Sequence, residues 1–224
     1  MLEFKESYFS SWLKWHVYRR YRVSQKNKFK GATYILRKTV RSIPQGSLVI
    51  DCGANVGEVS EYFLSKGMRV IAFEPDPVAL IALISRLGSN LRLRIEPKAV
   101  GGQAGRATLY QTSHAFAGNL DNTISSSLVK RDIHGDASIE NIEIVDLVQY
   151  IQSLEEKVRI LKLDIEGYEV EVLESIIDSG IYKNIDLIIV ETHERFSKVL
   201  EQKTDDLRRR ISELGIRNIN LDWR

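Results

Sequence analysis

The sequence predicts a doubly wound α/β fold, a mostly parallel sheet covered by helices on both faces, and three observations predict it. Short apolar runs alternate with amphipathic stretches whose apolar residues recur at helical spacing. The runs are apolar at nearly every position, as strands buried on both faces are. Asp51, Glu74, Asp164, Glu191 and His193 all fall at the ends of these runs, where ligands bind in open parallel sheets. With right-handed crossovers, these polar residues share one cleft.

The elements follow in order. After Pro44 and Gly46, Leu48 to Ile50 is a buried strand entering the turn Asp51 to Gly57. A helix carrying Val56, Val59 and Phe63 runs to Gly67, and Arg69 to Phe73 is the second strand, closing on Glu74-Pro75. Asp76 is an N-cap with Pro77 at the first helical position; Leu80, Leu83, Ile84 and Leu87 form the buried face, and Gly88 ends the helix. A third strand spans about Leu91 to Val100. Gly101, Gly102 and Gly105 then bracket a hairpin whose second strand is Arg106 to Tyr110.

Residues 101–140 are the least regular stretch. Regularity returns with a strand at Ile142 to Val145, a helix at Asp146 to Leu154 and a strand at Val158 to Leu163 that ends on Asp164-Ile165-Glu166-Gly167. The next helix buries Val172, Leu173, Ile176 and Ile177, and leaves Glu171 and Glu174 to solvent. Asp186 to Val190 ends at Glu191-Thr192-His193; Thr204 caps a helix with Leu207, Ile211 and Leu214 inward; Ile216 to Trp223 is a last strand.

Composition bounds the rest. A length of 224 residues suits one α/β domain with an extra arm. With 43% apolar and 28% charged residues and four prolines, collagen-like, disulfide-scaffold and disordered classes are excluded. No apolar run approaches the ~20 residues of a spanning helix. Glu3, Lys5 and Glu6 interrupt any secretory leader, so the expected compartment is the cytoplasm, with a peripheral place at the inner membrane surface as the variant. The lone Cys52 reads as a small buried hydrophobe.

The net charge of +2 conceals a division. Residues 1–42 hold eleven Lys/Arg against two Glu, a net of +9, and the remainder holds 21 bases against 28 acids, a net of −7. Nine of the nineteen aromatics lie in the first 34 residues. The division expected is a basic aromatic helical arm, 1–42, and a catalytic domain, 43–224. Tyr8, Phe9, Trp12, Leu13 and Trp15 fall largely on one helical face, with Lys14, Arg19, Arg20 and Arg22 adding charge. Such an arm packs on its own core or on a second subunit, lies on an anionic membrane surface, or docks an acidic acceptor.

Chemistry is carried by the strand ends. Asp51-Cys52-Gly53-Ala54-Asn55-Val56-Gly57 sets two glycines four apart, where the backbone turns tightly and a ligand can approach. A dinucleotide fingerprint requires glycine where Asn55 stands, which weakens a dehydrogenase reading. Glu74, 23 residues after Asp51, suits the hydroxyls of a ribose. His193 lies at the edge of the same cleft, while His16, His114 and His134 lie in the arm or irregular stretches. No C-x-x-C or H-E-x-x-H spacing occurs, and no metal is expected, although Asp164, Glu191 and His193 can converge on a cation.

Val49 to Gly57, Phe73-Glu74-Pro75, Lys162 to Glu169 and Glu191-Thr192-His193 together resemble the FkbM-type methyltransferases, over roughly residues 46 to 215. The resemblance implies a Rossmann-like fold of the class I methyltransferase type and S-adenosyl-L-methionine as cofactor. By similarity, the turn with Asp51, Gly53, Ala54, Asn55 and Gly57 holds the methionine part, Glu74 with Pro75 the ribose, and Asp164 and His193 face the methyl and the acceptor. It also implies O-methylation of a sugar, glycan or secondary-metabolite hydroxyl. Folds of this class finish with an antiparallel hairpin, and with nine residues after Gly215 one of those strands is expected to be missing.

On this reading His193 is the general base, as a neutral imidazole with a pKa near 6.5, and Asp164 is the second choice. Residues 101–140 form the acceptor lid. The alternatives are an RNA-binding protein or RNA methyltransferase using the basic arm, or a cofactor-binding module without activity. A small-molecule or glycan partner is favoured over nucleic acid, because no RNA-binding module is recognisable. Homo-oligomer formation and membrane contact through the arm remain open.

Overall fold

The computed structural model describes residues 30–112 and 134–223. Its main sheet has six strands: β1 (Leu48–Cys52), β2 (Arg69–Phe73), β3 (Leu93–Glu96), β7 (Val158–Leu163), β8 (Leu187–Glu191) and β9 (Ile219–Trp223). They lie in the order β3-β2-β1-β7-β8-β9 and every pairing is parallel. The order reverses between β1 and β7. Helices α1 (Lys30–Ser42), α2 (Glu58–Ser65), α3 (Pro77–Leu87), α4 (Leu147–Ser153), α5 (Glu169–Asp178) and α6 (Lys198–Glu213) cover it.

Alternation along the strands divides the core into two layers. Val49, Val70, Ala72, Ile160 and Ile189 face one layer with Leu36 and Val40 of α1, Phe63 of α2 and Leu83 of α3. Ile50, Ile71, Phe73, Leu161, Ile188 and Val190 face the other with Leu147 of α4, Leu173 of α5 and Leu207 of α6. Both faces are dry, which is why the strands read as continuous apolar runs. The Rossmann-like expectation is met.

Residues 30–42, counted with the arm by composition, form α1 and place Ala32, Leu36 and Val40 in the core, with Ile43 following. Residues 1–29, including the aromatic face and His16, lie outside the described residues. Among the described residues, no helix is long and apolar enough to cross a membrane.

The stretch after β3 departs from expectation. The predicted third strand is two: β3 stays in the main sheet, while β4 (Ala99–Gly101) leaves it. β4 pairs in parallel with β6 (His134–Asp146), and β5 (Gly105–Thr112) pairs antiparallel with the same strand, giving the order β4-β6-β5. There is no hairpin between 100 and 106; β6 takes the middle place because Ile142 and Ile144 align with Ala107 and Gly105. Of the expected lid, residues 113–133, with His114, lie outside the described residues.

Helix ends follow their caps. Asp76 accepts from the Val78 and Ala79 amides at 2.8 and 3.3 Å, and Asp146 accepts from Gln149 at 3.0 Å. α6 starts earlier than expected because Ser197 is its cap, accepting from Leu200 at 3.1 Å. Thr204 is an internal residue whose hydroxyl donates to the Leu200 carbonyl at 2.8 Å. Ile84 and Leu214, expected inward, are about half exposed at 50% and 53%; the buried faces are instead Ala79, Leu83 and Leu87 in α3 and Thr204, Leu207 and Ile211 in α6. Beyond α6 the single strand β9 joins β8 directly and in parallel.

Candidate active site

The first half of the site forms where β1 and β2 end. Gly53 and Gly57 have φ of +74° and +87°, a region that glycine enters at no steric cost. Their bare Cα atoms serve the chain's own packing. A Cβ on Gly53 would lie 1.8 Å from the Asp164 carbonyl oxygen, and one on Gly57 would lie 2.5 Å from Leu83 of α3. Two close contacts within the fold thus require glycine at both positions. They pin the β1 turn against the β7 turn and α2 against α3.

The turn is tied to β2. The Gly53 and Ala54 amides both donate to the Phe73 carbonyl at 3.0 Å. Asn55, itself at φ 49°, donates its amide to Glu74 Oε2 at 2.6 Å, and the Asp76 amide donates to Oε1 at 2.8 Å. Glu74 is held in one orientation with a lone pair left on each oxygen. Burial pushes its carboxyl up to about 8, against the two amide hydrogen bonds. Pro75, half-buried, carries the chain from Glu74 to the Asp76 cap.

Asp51 sits beneath the turn, fully buried, accepting from the Ser60 hydroxyl at 2.7 Å. Its second partner is Lys162, a residue that the sequence places in a motif but to which no role was assigned from sequence alone. The Lys162 ammonium lies 3.2 Å from Asp51, 3.3 Å from Asp164 and 2.7 Å from the Gly53 carbonyl. Burial works against its charge, but Asp164 and Asp51 outweigh it and raise its pKa. The signal was a lone lysine late in an apolar strand, which cannot be buried without a partner.

The second half forms where β7 and β8 end. Glu166 and Gly167, at φ 57° and 113°, fold the chain back so that Glu169 opens α5 inward. Glu169 is 1% exposed and accepts from the Ile165 and Gly167 amides. It also holds His193 Nδ1 at 2.8 Å. His193 is 1% exposed, and its Nε2 lies 3.7 Å from Asp164 and 3.6 Å from Glu166. Phe196 packs against the ring at 4.8 Å between centroids.

Burial alone would lower the His193 pKa, but the Glu169 hydrogen bond and the charges of Glu169, Glu166 and Asp164 raise it to about 9. Three carboxylates thus favour the charged ring, where the sequence alone led to an expectation of a neutral imidazole. Cys52, by contrast, is inert. Burial first, then the charge of Asp51, pushes its thiol well up. A separate cavity lined by Ile151, Val158, Ser179 and Ile185 opens at the amino ends of β7 and β8, away from this chemistry.

Asp51, Gly53, Asn55, Glu74, Asp164, Glu191 and His193 thus converge where the strand order reverses, with Ala54, Gly57 and Pro75 shaping the same turns. Residues 51–217, from the end of β1 to the approach of β9, match the Methyltransferase FkbM domain. The chain belongs to that family. It is therefore a methyltransferase, and the sheet is of the class I methyltransferase type. Methyltransferase sdnD of Sordaria araneosa is 24% identical over 206 residues, covering 78% of this chain and 79% of that protein. The hexuronic acid methyltransferase AglP of Haloferax volcanii is 23% identical over 168 residues, covering 73% and 63%. Among solved structures, a putative RNA methyltransferase, PH1948 of Pyrococcus horikoshii, is 15% identical with a TM-score of 0.32, covering 64% of this chain and 49% of that one.

Proposed function

We propose that this FkbM methyltransferase binds S-adenosylmethionine at the carboxyl edge of the sheet and methylates a hydroxyl of a sugar, glycan or secondary metabolite. One observation carries the reading: Glu74, oriented by the Asn55 and Asp76 amides, faces the cleft one strand from β1, with Asp164 and His193 on the other side of the strand reversal. A carboxylate so held accepts the two hydroxyls of a ribose. The Asp51 to Gly57 turn, with Gly53, Ala54 and Asn55, receives the methionine end. Asp164 lies between methyl and acceptor. A hexuronic acid, named for the Haloferax relative, is an acceptor of this hydroxylated class.

The sulfonium methyl is already electrophilic, so alignment and exclusion of water do most of the work. The acceptor oxygen forms its bond to the methyl carbon as the sulfur–methyl bond breaks, leaving S-adenosylhomocysteine. The hydroxyl proton passes to Asp164, beside which His193, fixed by Glu169, holds its Nε2 at 3.7 Å.

Purified protein is incubated with labelled S-adenosylmethionine and separate sugar, glycan, polyketide, lipid and RNA pools. Label on a hydroxyl oxygen of a sugar or secondary metabolite is the result expected. Label in RNA alone, or calorimetric binding of NAD or NADP but not S-adenosylmethionine, overturns the reading.

A further inference from the structure

Asp164, Glu191 and His193 each present one ligand atom, and these three atoms all lie within 4.8 Å of one another. They come from two neighbouring strand ends, β7 and β8, so the sheet itself sets their spacing. Acidic groups at a cleft are common, and the cluster alone would mean little. The histidine distinguishes it. Its side chain is 1% exposed, and Nε2 has no hydrogen-bond partner among the described residues.

The other ring nitrogen adds a second observation. Nδ1 is engaged by Glu169 at 2.8 Å, and Glu169 is itself fixed by the Ile165 and Gly167 amides. A carboxylate behind an imidazole fixes the ring's orientation and, once a metal ion displaces the Nε2 proton to solvent, aims the freed lone pair at the ion, the arrangement behind most metal-bound histidines. A burial that costs Glu169 its water has this as its return.

From this geometry we infer that Asp164, Glu191 and His193 Nε2 form a binding site for a divalent transition-metal ion, with Glu169 as the positioning residue behind the histidine. One imidazole with two carboxylates suits Mn²⁺ or a similar ion better than an all-oxygen magnesium cage. The ion lies at the acceptor end of the cleft, and its chemical use rests on the O-methyl transfer reading. A carboxylate alone is a weak base for an alcohol. A cation bound to the acceptor oxygen makes that proton far easier to lose, as it lowers bound water from 15.7 to ~7 in the strongest cases. The proton still leaves to a carboxylate or to water, and the methyl still comes from the sulfonium.

Binding is tested without cofactor or acceptor, so a wrong acceptor assignment cannot mask it. Mn²⁺ is titrated into the full chain and followed by electron paramagnetic resonance. One ion per chain is expected, with ¹⁴N modulation from a single imidazole. His193→Gln and Glu191→Gln should each weaken binding at least tenfold, and Glu169→Gln by ~10- to 100-fold. The wild-type nitrogen signal needs no variant to fold. No bound Mn²⁺ at millimolar concentration, no nitrogen coupling, or unchanged affinity in folded Glu191→Gln and His193→Gln proteins overturns the site.

Discussion

Glu74 shows how much a single residue can carry. Because burial raises its carboxyl to about 8, the folded protein holds a proton there which the unfolded chain, near 4.5, has released. Its contribution to stability is therefore present below about 4.5 and is lost as pH rises through about 8. Asp76 and Lys162 are the charges that face it, and their effects on the carboxyl oppose each other. Ribose hydroxyls donate best to the ionised form, so S-adenosylmethionine affinity should rise between pH 6 and 8.5. Glu74→Gln should flatten that rise, and Glu74→Ala should weaken binding by roughly 1.5–3 kcal/mol. Calorimetry across that range checks both; a pH-independent wild type would remove Glu74 from the site. Gly53→Ala belongs to the same scale. With the new Cβ placed 1.8 Å from a backbone carbonyl, the β1 and β7 turns must separate, and both thermal stability and cofactor affinity should fall together.

Between elements, the deciding contact is Lys162 across β1 and β7. Its ammonium joins Asp51 under one turn to Asp164 in the next, and both ends of that link are buried or half-buried. Removing one member of such a pair leaves a stranded charge, so Lys162→Met should cost ~3–5 kcal/mol in denaturant unfolding. A loss below ~1 kcal/mol would show the turns to be held by the glycine contacts and backbone bonds alone. The strands themselves were legible because apolar runs buried on both faces have no other use. The β4-β6-β5 arrangement was not, since local spacing cannot tell a hairpin from two strands that share a partner distant in sequence.

Over the whole molecule, composition and packing divide the chain at different places. Charge and aromatics change near residue 42, but α1 buries Ala32, Leu36 and Val40 against β8-side core residues such as Leu187 and Ile189. Leu36 and Val40 so buried each contribute ~1.5–3 kcal/mol. Deleting residues 1–29 should leave folding and cofactor binding nearly intact while changing assembly, anionic-liposome association or acceptor use. Deleting residues 1–43 should abolish the folded state. Circular dichroism, light scattering, liposome sedimentation and acceptor turnover compare the two with full-length protein; equal behaviour of the shorter deletion in every assay would remove the arm from recognition and assembly.

What the sequence determined by itself was local and periodic: the alternation of strands and helices in the main sheet, the Asp76 cap, and the polar residues at strand ends. Strand-end position depends only on where an apolar run stops, so Glu74, Asp164, Glu191 and His193 were legible one by one. Tertiary structure decided what those residues are to each other. Gly53 answers to a carbonyl 111 residues away, Gly57 to Leu83 of α3, Asp51 to Lys162, and His193 to Glu169, which lies on the helix after another strand. Charge state follows from such neighbours and not from residue type: the carboxylates around His193 push its pKa up to about 9, away from the ordinary value near 6.5.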